Sequence, residues 1–321
     1  YSVATDKNGY YSFSNVPANQ FIKLGIISSQ PDPSGISTAD IIKIQRHILG
    51  IELLDQVEEL LAADVDLSKS ISTKDVAYIR NLILGKVTEF PSHKTYHFIN
   101  QAYKFINPID PFEELDASLQ IHKTTTEDLH DLDFIAIKLG DVNQSYQGSN
   151  FKSTNSRFTG FKLSQFDNYI NIIPEWDELI FGFQFEFTVK GLCAGLTFKL
   201  ESSLQDFSEA NYQIDGNVVR VSYAAVNPFS SEFTLRIPME ALDQNCHINL
   251  KLSDDFSNEV YGINHTLGID HFKNISTQLK QEVEFFPNPV SDQLFINLKY
   301  FENTDVKIEL FDVSGSLVEN H

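Results

Sequence analysis

Along most of the chain, apolar and polar residues alternate with a period of two, the pattern of a half-buried strand. The clearest runs cover residues 180–189, 196–200, 218–224, 232–237 and 247–252, separated by Gly, Asn, Asp and Ser at sandwich-like intervals. They predict a β-sandwich over 149–275. Shorter strands are expected at 10–13, 21–27, 293–298 and 306–311. Asp6-Lys7-Asn8-Gly9 reads as a tight turn of the Asn-Gly type.

One region breaks this rhythm. Residues 36–50 align without a gap on residues 71–85. In each copy a Ser-Thr pair precedes a helical pattern, and a Gly closes it. Ile41, Ile44 and Ile48 are spaced to share one helix face, as are Val76, Ile79 and Ile83. A third short helix is expected near 53–62. The repeat predicts a pseudo-twofold helix pair. The aromatic stretch 91–148 is expected to pack back on these helices as an extension, with 133–140 forming a strand or a short helix.

Composition narrows the possible functions. The 321 residues carry a formal net charge of −20, which opposes binding to phosphate backbones and excludes nucleic acid as a partner. Phe and Tyr are abundant, at 26 and 12, and favour strands. There is no apolar run long enough to span a membrane. Cys193 and Cys246 have no metal-ligand spacing; they form one disulfide or two buried thiols. The first and last residues read as the interior of domains, so the chain is expected to be a piece of a longer protein.

The strongest chemical pattern is a twelve-residue loop from Asp64 to Asp75. Side-chain oxygens stand at loop positions 1, 3, 5, 9 and 12, which are Asp64, Asp66, Ser68, Ser72 and Asp75, and Ser70 at position 7 would offer its carbonyl. This spacing suits Ca²⁺, because a loop wound round one ion turns alternate residues inward. The bland reading of the same residues is an acidic helix-capping turn. Lys69 stands where such loops need a residue with positive φ, usually Gly. Three carboxylates imply modest affinity, on the order of 10⁻⁴–10⁻³ M. The first repeat lacks the matching front half: counting back from Asp40 gives Ser29, Pro31 and Pro33. Asp141-Val142-Asn143 has the opposite defect, a front half with no position 12 behind it. Either the first loop is empty, or Asp141 and Asn143 complete it in space beside Asp40.

Residues Gly35 to Asp40, Ile44 to Gly50, Ala62 to Asp66 and Ile137 to Asn143 together resemble type I dockerins, as found in large secreted Bacteroidetes proteins. The resemblance implies a Ca²⁺-binding helix pair that docks a partner protein or a neighbouring domain. Thr5 to Pro17 resembles the end of carboxypeptidase regulatory-like, prealbumin-type sandwiches, and Gly182 to Phe187 with Gly216 to Tyr223 resembles cohesin-like domains. Phe285 to Asn297, with its Pro-Asn-Pro turn, and Val306 to Gly315 resemble the type A sorting domain of type IX secretion. That implies contact with the secretion machinery and an extracellular or outer-surface location.

The expected fold class is mainly β with one small helical EF-hand-like, dockerin-like module and β-sandwich domains on either side. The boundaries are 1–28, 29–148, 149–275 and a partial sorting domain at 283–321. The expected function is that of a non-catalytic, calcium-stabilised structural or interaction region. The alternatives are a cohesin-binding dockerin, or an accessory region of a secreted carbohydrate-active or proteolytic enzyme whose catalytic domain lies upstream. His93 and His97 lack the Glu of a zincin, and no nucleophile elbow or phosphate loop is present. The acidic pairs Glu113-Glu114 and Glu127-Asp128 read as solvated surface.

Overall fold

A computed structural model of the chain describes residues 2–19, 21–26, 31–115, 121–123, 130, 132–146, 158–166, 169–190, 199–238, 249–254, 256–263 and 265–274, and four short strands between 284 and 320. The protein is mainly β with few helices. Cys193, Cys246, Glu127 and Asp128 lie outside the described residues.

The helical unit holds α1 (Thr38–Ile48), α2 (Val57–Ala63) and α3 (Thr73–Ile83). Both long helices start on a capping box. The Ser37 hydroxyl accepts from the first turn of α1 while Asp40 reaches back to the Ser37 N–H, and Ser72 and Asp75 do the same for α3. After α3, strand β2 (Tyr96–Asn100) pairs antiparallel with β4 (Phe134–Lys138). The core under this hairpin joins Ile41, Ile44 and Ile79 to Phe90, Ile99, Ile137 and Leu139. Ile83 is buried there, whereas its repeat partner Ile48 is 37% exposed. The sequence pattern gave both the same inward face. The two halves match in sequence but not in what surrounds them, and an amphipathic stripe does not report that.

The N-terminal segment carries no strand over residues 10–13, where one was expected. Its turn at Asp6–Gly9 forms, with the Gly9 N–H on the Asp6 carbonyl at 3.0 Å and Gly9 at φ 85°. Among the described residues of this segment the one strand is β1 (Phe21–Lys23), and it pairs with β3 (Ile121–Lys123).

The β unit contains β5 (Phe158–Phe166), β6 (Tyr169–Pro174), β7 (Ile180–Lys190), β8 (Glu201–Ser202), β9 (Tyr212–Asp215), β10 (Val218–Phe229), β11 (Leu235–Pro238), β12 (Asn249–Leu252), β13 (Glu259–Gly262) and β14 (Thr266–Asn274). Two separate sheets were expected here. These strands instead form one ten-stranded sheet in the order β8-β11-β6-β5-β14-β13-β7-β10-β9, with β12 also on β7. The sheet curls round its own core. The parallel pairing of β5 with β14, across a register shift between Ile269 and His271, links its two halves. Such long-range pairing leaves no local mark in a sequence. Alternation along β7 sends Phe183, Phe185 and Phe187 into the core, and all three are fully buried.

The opposite face of β7 and β10 carries small and polar pairs: Gly182 opposite Ala224, Gln184 opposite Ser222, and Glu186 opposite Arg220. Helix α1 sits on this face. The Thr38 N–H donates to Gln184 Oε1 at 2.7 Å, and Thr38 Oγ1 lies 2.7 Å from Ser222 Oγ. Gln184 Nε2 donates onward to the Ser257 carbonyl at 3.0 Å. Gly182 is required for this approach: a Cβ there would stand 2.4 Å from the Tyr223 carbonyl and 3.3 Å from Ile42 Cδ1. The helical and β units are thus fastened by buried polar contacts. Beyond them, β15 (Glu284–Phe286) pairs with β16 (Phe295–Asn297) and β17 (Glu309–Phe311) with β18 (Leu317–Asn320).

Candidate metal centre

The contiguous loop closes on itself around Asp64. Its two carboxylate oxygens accept from the Ser68 N–H at 2.9 Å and the Lys69 N–H at 2.8 Å. Asp66 Oδ1 accepts from the same Ser68 N–H at 3.1 Å. Asp75 arrives from the first turn of α3, with one oxygen on the Ser72 N–H at 2.9 Å and the other on the Val65 N–H at 3.1 Å. One oxygen from each of Asp64, Asp66 and Asp75 lies within 4.8 Å of the other two. The Ser68 hydroxyl bridges to the Ser70 carbonyl at 3.3 Å, so positions 5 and 7 converge as well. Leu67 at φ 59° and Lys69 at φ 64° both take the left-handed conformation. The turn expected to need glycine forms without one, at a backbone cost of about 1 kcal/mol per residue.

The structure also brings Asp141 and Asn143 to Asp40. The Asn143 N–H donates to Asp40 Oδ1 at 2.9 Å, while Asp40 Oδ2 accepts from the Ser37 N–H at 2.8 Å. The hydrogen bonds of the contiguous loop recur here almost one for one. Asp141 accepts from Ser145 N–H at 2.9 Å and Tyr146 N–H at 3.0 Å, and Asn143 Oδ1 accepts from Ser145 N–H at 3.0 Å. Gln144, at φ 54°, takes the backbone turn that Leu67 takes in the other loop. The Ser145 hydroxyl donates to the Gly35 carbonyl at 3.0 Å, as Ser68 does to Ser70. Asp141, Asn143 and Ser145 therefore occupy positions 1, 3 and 5, and Gly35, Ser37 and Asp40 occupy 7, 9 and 12. Ser145 and the Gly35 carbonyl were not singled out from the sequence. The pattern Asp-Val-Asp-Leu-Ser at 64–68, repeated as Asp-Val-Asn-Gln-Ser at 141–145, is the signal that points to them.

Electrostatics distinguish these carboxylates from ordinary capping residues. Burial pushes Asp40 up to about 7, and neighbouring Asp141 adds to the rise. Burial likewise raises Asp64 to about 6, with Asp75 adding to it, and raises Asp75. A capping box uses one carboxylate oxygen at a helix start. Here Asp40 and Asp75 are fully buried beside further acids, an arrangement that a bound divalent cation would relieve. The donors are all oxygen, carboxylate, amide, hydroxyl and carbonyl, which is the set a hard cation such as Ca²⁺ takes.

Other sequence candidates fall elsewhere. His93 Nδ1 pairs with Glu89 at 2.8 Å, and His97 is buried with its proton affinity lowered; among the described residues the acidic and histidine side chains grouped in threes closely enough to hold a metal are Asp64, Asp66 and Asp75. Glu114 accepts from the Ile106 and Asn107 N–H groups at 2.9 and 2.8 Å, a structural role in the aromatic extension.

Comparison with known proteins gives one match. Residues 284–321 match the secretion system C-terminal sorting domain family. No curated protein and no solved structure matches the chain. Among the described residues no helix is long and apolar enough to cross a membrane. The matched tail is a type IX secretion signal, so this chain engages that machinery and is destined for the extracellular space or the outer cell surface.

Proposed function

We propose that residues 31–146 form a calcium-stabilised structural module within an exported, non-catalytic region, and that the module carries two cation loops. Asp64, Asp66, Ser68, Ser70, Ser72 and Asp75 hold one ion. Asp141, Asn143, Ser145, Gly35, Ser37 and Asp40 hold the other. The observation that carries this reading is the recurrence of one hydrogen-bond pattern in two chain arrangements, one contiguous and one assembled from segments about a hundred residues apart. Cation binding adds stability only to the folded state. Each ion also neutralises carboxylates that folding has buried.

A dockerin-like module could instead recruit a separate cohesin. Two features favour docking within the chain. Ile41, Ile44 and Ile79 are buried in the module's own core, and the start of α1 is already seated on the outer face of β7 and β10. The calcium loops then serve as a stiff junction between neighbouring domains. The test is thermal melting in calcium and in chelator. At one hundred times its dissociation constant, calcium should add about 2.7 kcal/mol per loop. Asp64→Ala and Asp141→Ala should each lose about half of the calcium-dependent gain. Equal melting of the wild type in calcium and chelator would remove the reading.

A further inference from the structure

The two loops differ in one covalent respect. In the contiguous loop a single residue, Lys69, links position 5 to position 7. In the split loop those positions are Ser145 and Gly35, and no peptide joins them. Left open, the two halves would have to be brought together at each binding event, with the loss of chain entropy that closure costs. A well-built structure must supply the missing link by other means.

Three side chains lie at this gap. Lys138, at the end of β4, keeps only 3% of its side chain exposed. Its ammonium contacts Asp32 Oδ2 at 2.7 Å, on the segment leading into Gly35. The same ammonium stands 3.6 Å from the ring centroid of Tyr146, the residue after Ser145. One buried cation thus grips both halves, one through an ion pair and the other through a ring face. Gly35 completes the closure. It lies at φ 81°, and a Cβ there would be 2.8 Å from Tyr146 Cβ, so the two backbones meet only because the position is glycine.

We infer that Asp32, Lys138 and Tyr146 are a non-covalent staple that holds the split loop closed and sets its cation affinity. Lys138 is a positioning residue: its ammonium contacts Asp32 and Tyr146, and only its backbone carbonyl meets a ligand position, accepting from the Asp141 N–H at 3.3 Å. This inference rests on the calcium reading above, and its distinctive prediction is a sign. A positive charge beside Asp141 opposes a second cation, so removing it should strengthen calcium binding if charge alone matters. If Lys138 acts as a staple, removing it should weaken binding.

The experiment compares the full chain with Lys138→Met, Lys138→Arg and Asp32→Asn. Calcium affinity is measured by calorimetry, and amide hydrogen exchange at Asn143 and Ser145 is followed in chelator. The expected result for Lys138→Met is at least a tenfold weaker second site, an unchanged site at Asp64, and faster exchange at both amides. Lys138→Arg should restore both readouts, because guanidinium keeps the ion pair and the ring contact. Asp32→Asn, a milder change at a partly exposed residue, carries the same prediction with a smaller loss if Lys138→Met does not fold. Unchanged or tighter binding at the split site overturns the staple, as does equal weakening of both sites. If the wild type binds no calcium, the calcium reading fails while the exchange arm still decides whether the staple closes the loop.

Discussion

Without bound calcium, the helical module should lose stability as pH rises from about 4 to 7, the reverse of the usual acid denaturation. The cause is the burial of Asp40 and Asp64, which holds protons on groups that the unfolded chain has already released. These two carboxyl groups hold more protons in the folded than in the unfolded state across this window, so their contribution is fully present below about pH 4 and falls as pH rises through the folded values; buried His97, lowered to about 4, acts in the opposite direction and offsets part of the fall. For Asp40 alone, moving from the ordinary 3.8 to about 7 corresponds to about 4 kcal/mol. Saturating calcium should reverse the trend. Cation ligands must be deprotonated, so calcium binds more tightly as pH rises and the module gains stability with it. Chemical denaturation at pH 5 and pH 8, each in calcium and in chelator, measures all four corners. Parallel pH profiles in both conditions would show that these carboxylates bind no cation.

Replacing Gln184 by Leu should separate the melting of the helical module from that of the β unit. Gln184 sits on the outer face of β7, where sequence alternation alone predicts contact with water. Instead its carbonyl accepts the Thr38 N–H and its amide reaches the Ser257 carbonyl. Only one orientation of the amide satisfies both. Thr38 is fully buried in the first turn of α1, where helix geometry supplies no partner for its N–H. Leu would strand that donor and the Ser257 carbonyl, at about 1–3 kcal/mol for each group left unpaired. The loss falls on the interface, so differential scanning calorimetry should show one transition becoming two. A single transition, lowered as a whole, would mean that the two units form one cooperative core and that docking is not separable from folding.

How far the sequence reaches differs between the two loops. Asp64 to Asp75 is legible because its donors follow one another along the chain, so spacing alone carries the geometry. The split loop is only half legible. Asp141, Asn143 and Asp40 can be paired by noticing two complementary defects. Ser145 and the Gly35 carbonyl escape because counting back from Asp40 follows the chain into Pro31 and Pro33, away from the atoms that fill the site. Alternation identifies Phe183, Phe185 and Phe187 as core. It says nothing of the parallel β5–β14 pairing that makes one curled sheet of what reads as two, nor of the helix that covers Gln184 and Ser222. Periodicity reports which face is apolar, and a polar face buried by specific hydrogen bonds carries no such mark.

We propose that this exported chain holds two calcium ions in one helical module. This is tested most directly by calorimetric titration of calcium into the chelator-treated full chain at neutral pH. The expected result is saturable binding at two sites, with dissociation constants on the order of 10⁻⁴–10⁻³ M. Absence of binding at ten millimolar calcium, about ten times the weaker end of that range, would contradict it.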